Sequence, residues 1–430
     1  MIQQSVLPIK LKRSNEKITA RSGLLLFAEF MNVLGVERAL DVHMPAPGSG
    51  RGFQAVSYAT PIIITLYGGG ATIEDIREMR PDKALRKAIG MKRVPSSSAT
   101  GDWLKRMGER GGIEGVEKVN DKIVKEVLRR NKGNNYTLIV DPTMIEAAKS
   151  EAKMTYLGFK GYRPVAAVIK ELDLVIAYEF KEGNDSGGKL AILQKAFAKM
   201  PAGKRIKRVL LDSEYYTNEV MEFLSGQGVK WAICANKDAA VKAAISAIPD
   251  ADWKPFIDRH GDKSDREVAS TVHSTNEGKE AFSLVVIRWK NAQGDLFDGA
   301  FNYHCIATNM GGSAADTVLA YNGRSCVENN IKELKHGFGL DYLPTGDFHA
   351  NAVWFGLGVM AYNLFVAQKL LTMPESWRTK TIKSVRWMFI NVAGKVVEHS
   401  RKVYLKLAVG VEKYEQYLYV RRRTYALSLK

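Results

Sequence analysis

The chain has 430 residues, with 63 Lys and Arg against 46 Asp and Glu, for a formal net charge of +17. Apolar residues make up 46% and charged residues 25%, which excludes disorder over most of the chain, and no short repeat points to a collagenous or coiled-coil fold. Three scattered cysteines, Cys234, Cys305 and Cys326, exclude a disulfide scaffold or a Cys-type zinc site and suit a reducing, cytoplasmic setting.

The first residues, MIQQSVLPIKLKRSNEK, contain no apolar core or small-residue cleavage site, so no signal peptide is expected. Residues 1–130 read as mostly helical. SGLLLFAEFMNVLGVERAL repeats apolar residues at helical spacing behind Ser22, a candidate N-cap. GFQAVSYATPIIITLYGGGA stops at Gly68-Gly69-Gly70, short helices follow that break at Pro81 and Gly90, and Ser/Thr caps precede Trp103. Small basic helices of this kind suit a DNA-reading module or a plain helical subdomain.

The pattern then changes to strands. NYTLIVDPTMIEAA, from Asn135, is a short apolar run ending at Asp141, PVAAVIKELDLVIAYEF reads as a hairpin turning near 171–173, and GNDSGG is a loop. Helix KLAILQKAFAKM, strand IKRVLLDSEYY ending near Asp212, a helix around 218–226 and strand VKWAICANKD complete a mixed α/β sheet. Three antiparallel strands followed by α/β units is the order of an RNase H-like core. Residues 239–300 are more polar and irregular, with one convincing strand, FSLVVIRWK, and read as an insertion before the return strand FNYHCIATN. SAADTVLAYNGRSCVENNIKELKHG predicts a long helix. The uncharged run 352–367 falls short of the ~20 apolar residues of a membrane span and contains Asn363, so a buried core helix is expected and no membrane partner. The expected division is a helical region over 1–130, a core over 131–238 and 301–345, a β-rich insertion over 239–300, and a helical basic region over 346–430.

Charge is unevenly spread. Residues 374–430 hold 13 Lys/Arg and 4 acids, and residues 80–110 hold 9 against 3, two clusters that favour a polyanion surface. Arg421, Arg422 and Arg423 form the densest run. Seven His residues without H-x3-H spacing give no catalytic zinc motif, and the three glycines lack the Gly-Lys-Ser/Thr of a P-loop, so no nucleotide cofactor is expected.

Asp141 and Asp212 each close an apolar strand, where open α/β sheets place their ligand sites and where an Asp also commonly caps a turn. Glu214, two residues on, reads as exposed at the strand end, and Asn184-Asp185 as a turn. In the long helix, Tyr321, Arg324, Glu328 and Lys335 fall at about 0°, −60°, −20° and −40° around the axis, one narrow polar face. Val327, Ile331, Leu334 and Phe338 form a separate apolar stripe. Exposed i,i+4 charge pairing such as Arg324–Glu328 accounts for the charges but not for the Tyr.

The set Y-x2-R-x3-E-x6-K with two upstream strand-end Asp residues resembles the DDE transposases of bacterial insertion sequences in the broad IS4-like group, and more nearly the IS1380 family. The likeness extends to GFKGYRP, FKEGND, LLDSEYY, VENNIKELK, MAYNLF and the basic tail, over residues from about 20 to 410. It implies an RNase H-like catalytic core in which Asp141, Asp212 and Glu328 hold Mg²⁺ or Mn²⁺, two ions per site. It further implies that Tyr321, Arg324 and Lys335 hold phosphates of the transposon end. Trp289, in the one clear insertion strand, is the candidate for stacking on a flipped base, with a core or surface role equally open. The basic N-terminal helices and the tail would bind terminal inverted repeats of double-stranded DNA. The working form would be a homodimer, in a bacterial cytoplasm and nucleoid-associated. Two other readings share features of this one: a non-catalytic DNA-binding relative, and a stand-alone metal-dependent nuclease.

Overall fold

The computed structural model describes residues 9–48, 52–275, 278, 280–291, 301–400 and 402–429. Parts of the expected insertion (276–277, 279, 292–300) and of the expected terminal regions (1–8, 49–51, 401, 430) lie outside the described residues. Six helices come first: α1 (Gly23–Val33), α2 (Val36–His43), α3 (Val56–Gly68), α4 (Lys83–Ala88), α5 (Ser97–Glu109) and α6 (Gly112–Arg130). Their ends follow local chemistry. Gly69, at φ 108°, caps α3 in a conformation that disfavours any Cβ, and the Ser96 hydroxyl accepts from Ala99 N at 3.1 Å to open α5. Ser22 departs from expectation. It makes no side-chain capping bond; its own N–H donates to the Val392 carbonyl at 3.0 Å, so a distant segment fixes the start of α1.

The centre of the chain is a nine-stranded mixed sheet. β1 (Asn135–Pro142), β2 (Val165–Ile169) and β3 (Leu174–Glu179) form an antiparallel meander, and β4 (Arg205–Leu211) and β5 (Lys230–Cys234) add on the other side of β1 in parallel. Helices α7 (Lys189–Ala198) and α8 (Asn218–Gly226) make the two crossovers. The succession of three antiparallel strands and two α/β units is the one expected from the sequence, and the resulting strand order in the sheet, β3-β2-β1-β4-β5, is consistent with an RNase H-like core. Parallel β1 and β4 bring Asp141 and Asp212 to the same end of adjacent strands, since Val140 lies opposite Leu211.

Beyond β5 the sheet continues through the expected insertion. After α9 (Ala239–Ser246), the strands β6 (Lys254–Ile257), β7 (Lys263–His273), β8 (Phe282–Lys290) and β9 (Phe301–Thr308) add antiparallel in the order β6-β7-β8-β9-β5. One strand is expected in 239–300, and the described residues there form three. β7, KSDREVASTVH, is mostly polar because only Val268 and Ala269 in it are buried, so its composition disguises an 11-residue strand.

The predicted long helix runs from 314 to 337 in four segments of three different pitches. α10 (Ala314–Asn322) tightens to a 3-10 turn at Gly323–Ser325, α11 (Cys326–Lys332) follows, and Glu333–Gly337 widens to a π turn. α12 (Phe348–Leu371) is buried at every position from Ala350 to Lys369 and packs against α3, α5, α6 and β3. It is long and apolar enough to cross a membrane, and its apolar window is wholly buried, as expected of a core helix. Asn363 explains its own place there: its amide accepts from Val175 N at 3.0 Å and donates to Val175 O at 2.8 Å, satisfying the free edge of β3.

The C-terminal region is helical only in part. After α13 (Ile382–Val385), β10 (Gly394–His399) and β11 (Lys402–Leu407) form a hairpin that pairs with Ile18–Thr19, before α14 (Val411–Ser428). The expectation of an all-helical tail is corrected here. KVVEH carries two valines and KVYLKL a Val and a Tyr, residues that favour strands, and Ser400 takes the left-handed turn position at φ 50°.

Candidate active site at the strand ends

Asp141 lies on β1 opposite Ala166, with 15% of its side chain exposed, and Asp212 follows the last residue of β4. Asp212 also caps the short turn after it, its Oδ1 accepting from Glu214 N at 3.0 Å. Across these ends lies the run from α10 to Gly337. Arg324 Nη1 donates to Asp141 Oδ1 at 2.9 Å. The Tyr321 hydroxyl donates to the carbonyl of Leu211, the residue before Asp212, at 3.0 Å, and Lys335 Nζ donates to the Met144 carbonyl at 2.7 Å. Three of the four residues expected on one face therefore touch the strand ends or the loop after β1. Glu328, the fourth, is exposed and lies close enough to Asp141 to act on its charge. Val327, Ile331, Leu334 and Phe338 are buried on their separate apolar stripe, as expected.

Tyr321 and Lys335 are expected on phosphates; here both bond to main-chain carbonyls, and Tyr321 is buried. Their polar atoms hold the helix in register with the strand ends. His304 on β9 lies tilted against the Tyr321 ring, the centroids 5.7 Å apart, and burial followed by the charges of Lys237, Arg324 and Arg266 lowers its pKa.

Electrostatics mark Asp141. Burial pushes its carboxyl up to about 6; Arg324 opposes this, and the carboxylates of Asp212, Glu328 and Glu214 add to it. Glu214 is expected to be exposed and is not. Its side chain is 21% exposed and forms an ion pair with Arg163, itself buried, whose other Nη donates to the Asp185 carbonyl at 3.1 Å. Asp185 closes the expected turn, its Oδ1 accepting from Gly187 N at 2.8 Å. Arg163 thus ties the GYRP, GND and LLDSE segments together. It is the site residue sequence reasoning missed, and the signal was an arginine next to an apolar strand.

Clustered carboxylates that repel one another, with hard oxygen donors, are the chemistry a divalent cation such as Mg²⁺ or Mn²⁺ relieves. The donor set fits. As arranged here, Arg324 occupies Asp141 Oδ1, and among the described residues no group of three His, Cys, Asp or Glu side chains is disposed to hold a metal.

Trp289 lies on β8 opposite Asn302 and Arg266, half-buried, with the Arg266 guanidinium 5.3 Å from its ring. Because β8 runs antiparallel to β9, and β9 to β5, Trp289 sits at the sheet end that carries Asp141 and Asp212. The three tail arginines lie on α14, away from this cluster in sequence and in partner. Arg421 pairs with Glu29 at 2.8 Å and Arg423 donates to the Leu371 carbonyl at 3.0 Å, while Arg422 is exposed.

A family model described as transposase DDE domain group 1 matches residues 3–425. Among solved structures, a piggyBac transposase synaptic complex with hairpin DNA, determined by cryo-EM, is similar at 10% identity and a TM-score of 0.46, over 88% of this chain and 83% of that one. No curated protein matches.

Proposed function

The chain belongs to the transposase DDE domain family, group 1, and we propose that it is an active DNA transposase that cuts the ends of an insertion sequence and joins the 3′-hydroxyls to target DNA. The observation that carries this reading is the pairing of two strand-end carboxylates, Asp141 and Asp212, with a helix that lays Arg324 on the first and brings the charge of Glu328 to it. A Y-x2-R-x3-E-x6-K helix supports placing the protein near the IS1380 type of the IS4-like group, acting on the nucleoid of a bacterial cytoplasm.

In this reading Asp141, Asp212 and Glu328 hold Mg²⁺ or Mn²⁺. When bound, such ions supply activation of the attacking oxygen and neutralise charge on the leaving oxygen of an in-line phosphoryl displacement. Arg324 keeps the Asp141 carboxylate oriented and, with its planar fork, is suited to exchange that partner for a phosphate as DNA enters. Tyr321 and Lys335 are positioning residues that lock the helix across the strand ends. Arg163 holds Glu214 and the GND loop, so that Asp212 cannot swing away. The basic N-terminal helices and C-terminal region bind the inverted repeats, and two copies serve the two ends.

A duplex carrying the element's own terminal repeat, incubated with Mg²⁺ or Mn²⁺, tests the reading. Nicking at the repeat boundary that chelation abolishes is the expected result. Tight binding to paired ends without cleavage under either metal would favour the non-catalytic relative, and cleavage indifferent to the repeat would favour a nuclease.

A further inference from the structure

We infer that the exposed face around Trp387 is a contact surface for duplex DNA, with the indole against the sugars and bases and Lys380 and Lys383 on phosphates. The inference rests on the reading above that the chain acts on DNA. Trp387 is 83% exposed, whereas Trp103, Trp231, Trp253, Trp354 and Trp377 are buried and Trp289 is half-buried. An indole left in water forgoes the burial that makes it a strong anchor elsewhere, so its place on the surface needs a partner that covers it.

The side chain stands on a rigid base. α13 runs into a π turn, Arg386–Ile390, a helix irregularity frequent at functional sites. Arg386 donates to the Tyr67 carbonyl at 2.8 Å and the Leu66 carbonyl at 2.6 Å, and lies over the Phe338 ring. Phe389 and Ile390 are buried, and the Tyr417 hydroxyl donates to the Phe389 carbonyl. Ile382 N donates to Glu333 Oε1 at 2.6 Å. The platform is therefore bolted to the same run of chain that carries Glu328 and Lys335.

Charge selects the occupant. From 376 to 397 the chain has Arg378, Lys380, Lys383, Arg386 and Lys395 and no Asp or Glu. All of these but Arg386 are exposed, and Lys395 is paired with Glu16, which leaves Arg378, Lys380 and Lys383 as the exposed cations without an acidic partner among the described residues. Lys383 precedes Trp387 by four residues in α13 and the π turn that continues it, which sets it near the indole beside the exposed Ser384, while Lys380 is exposed just ahead of the helix, before its N-cap Thr381. A second copy of this chain would bury like charges against each other. Phosphates neutralise them and release counterions, and an aromatic ring among phosphate-binding cations is the composition of a nucleic-acid surface.

Acrylamide quenching of tryptophan fluorescence in the full chain, with and without the terminal-repeat duplex, tests the inference. The accessible signal comes mainly from Trp387, so Trp387→Phe should remove most of it. Duplex should shield it in the wild type. Trp387→Ala should weaken duplex binding about tenfold while leaving the melting temperature unchanged, Trp387→Phe should recover most of the affinity, and Lys383→Ala should lower the salt slope by about one. Duplex binding that leaves Trp387 quenchable and Trp387→Ala unaffected would overturn the inference and spare the DNA reading. Shielding that rises with protein concentration, without DNA, would give the face to a second copy. A wild type that binds no duplex would remove both.

Discussion

Asp141 carries a carboxyl whose proton affinity is set by burial, by Arg324 and by three other carboxylates. Its folded-state value, about 6, lies above the ordinary 3.8, so the folded protein holds the proton where the unfolded chain has released it. Stability from this residue is present in full below about pH 4 and is lost as pH rises through about 6. The loss is on the order of 2–3 kcal/mol, since each tenfold change in proton affinity is worth about 1.4 kcal/mol. Asp141→Asn, which cannot ionise, should therefore melt a few degrees above the wild type at pH 8 without divalent metal, and the gap should close towards pH 4. Thermal unfolding across that range checks this. A gap independent of pH would mean that Arg324 already neutralises Asp141. Added Mg²⁺ or Mn²⁺ should raise the wild type and leave the variant unmoved.

At the scale of elements, α12 is the part on which both halves of the chain rely. Asn363 holds the β3 edge through Val175 and also donates to Asn120 Oδ1 on α6 at 2.8 Å. Asn363→Ala would strand these buried groups and should cost about 2–4 kcal/mol in chemical denaturation, with the largest loss of amide protection in β3. A change under about 1 kcal/mol would mean that water or a shift of α12 replaces the bonds. Elements of this region were legible in sequence wherever the pattern is local. β1 and β4 show as apolar runs closed by Asp, and the face of Tyr321, Arg324, Glu328 and Lys335 shows because its spacing tolerates the local tightening at Gly323–Ser325. What escaped depends on distant partners. Arg163 meets Glu214 across 51 residues, β7 hides its few buried residues among polar ones, and β10–β11 needs Ile18–Thr19 to complete its sheet.

Over the whole molecule, the proposed function makes the formal charge of +17 the source of a salt-sensitive affinity for DNA, but not every cation would contribute to it. In the tail, Arg421 and Arg423 are engaged by Glu29 and the Leu371 carbonyl, and they fasten α14 to α1 and α12. Arg422 has no hydrogen-bond or ion-pair partner among the described residues. Arg422→Ala should therefore lower the slope of log affinity against log salt by about one without altering stability, and Arg421→Ala should lower the melting temperature more than the slope. Equal effects on slope from both would place the DNA path over all of α14. The claim on which the account turns is that Glu328 completes a catalytic set with Asp141 and Asp212. The most direct measurement is cleavage and binding of the terminal-repeat duplex by Glu328→Gln beside the wild type in Mg²⁺. Because Glu328 is exposed, the variant should fold and bind the duplex as the wild type does and cut it at least about a thousandfold more slowly. Cleavage at the wild-type rate would contradict the account.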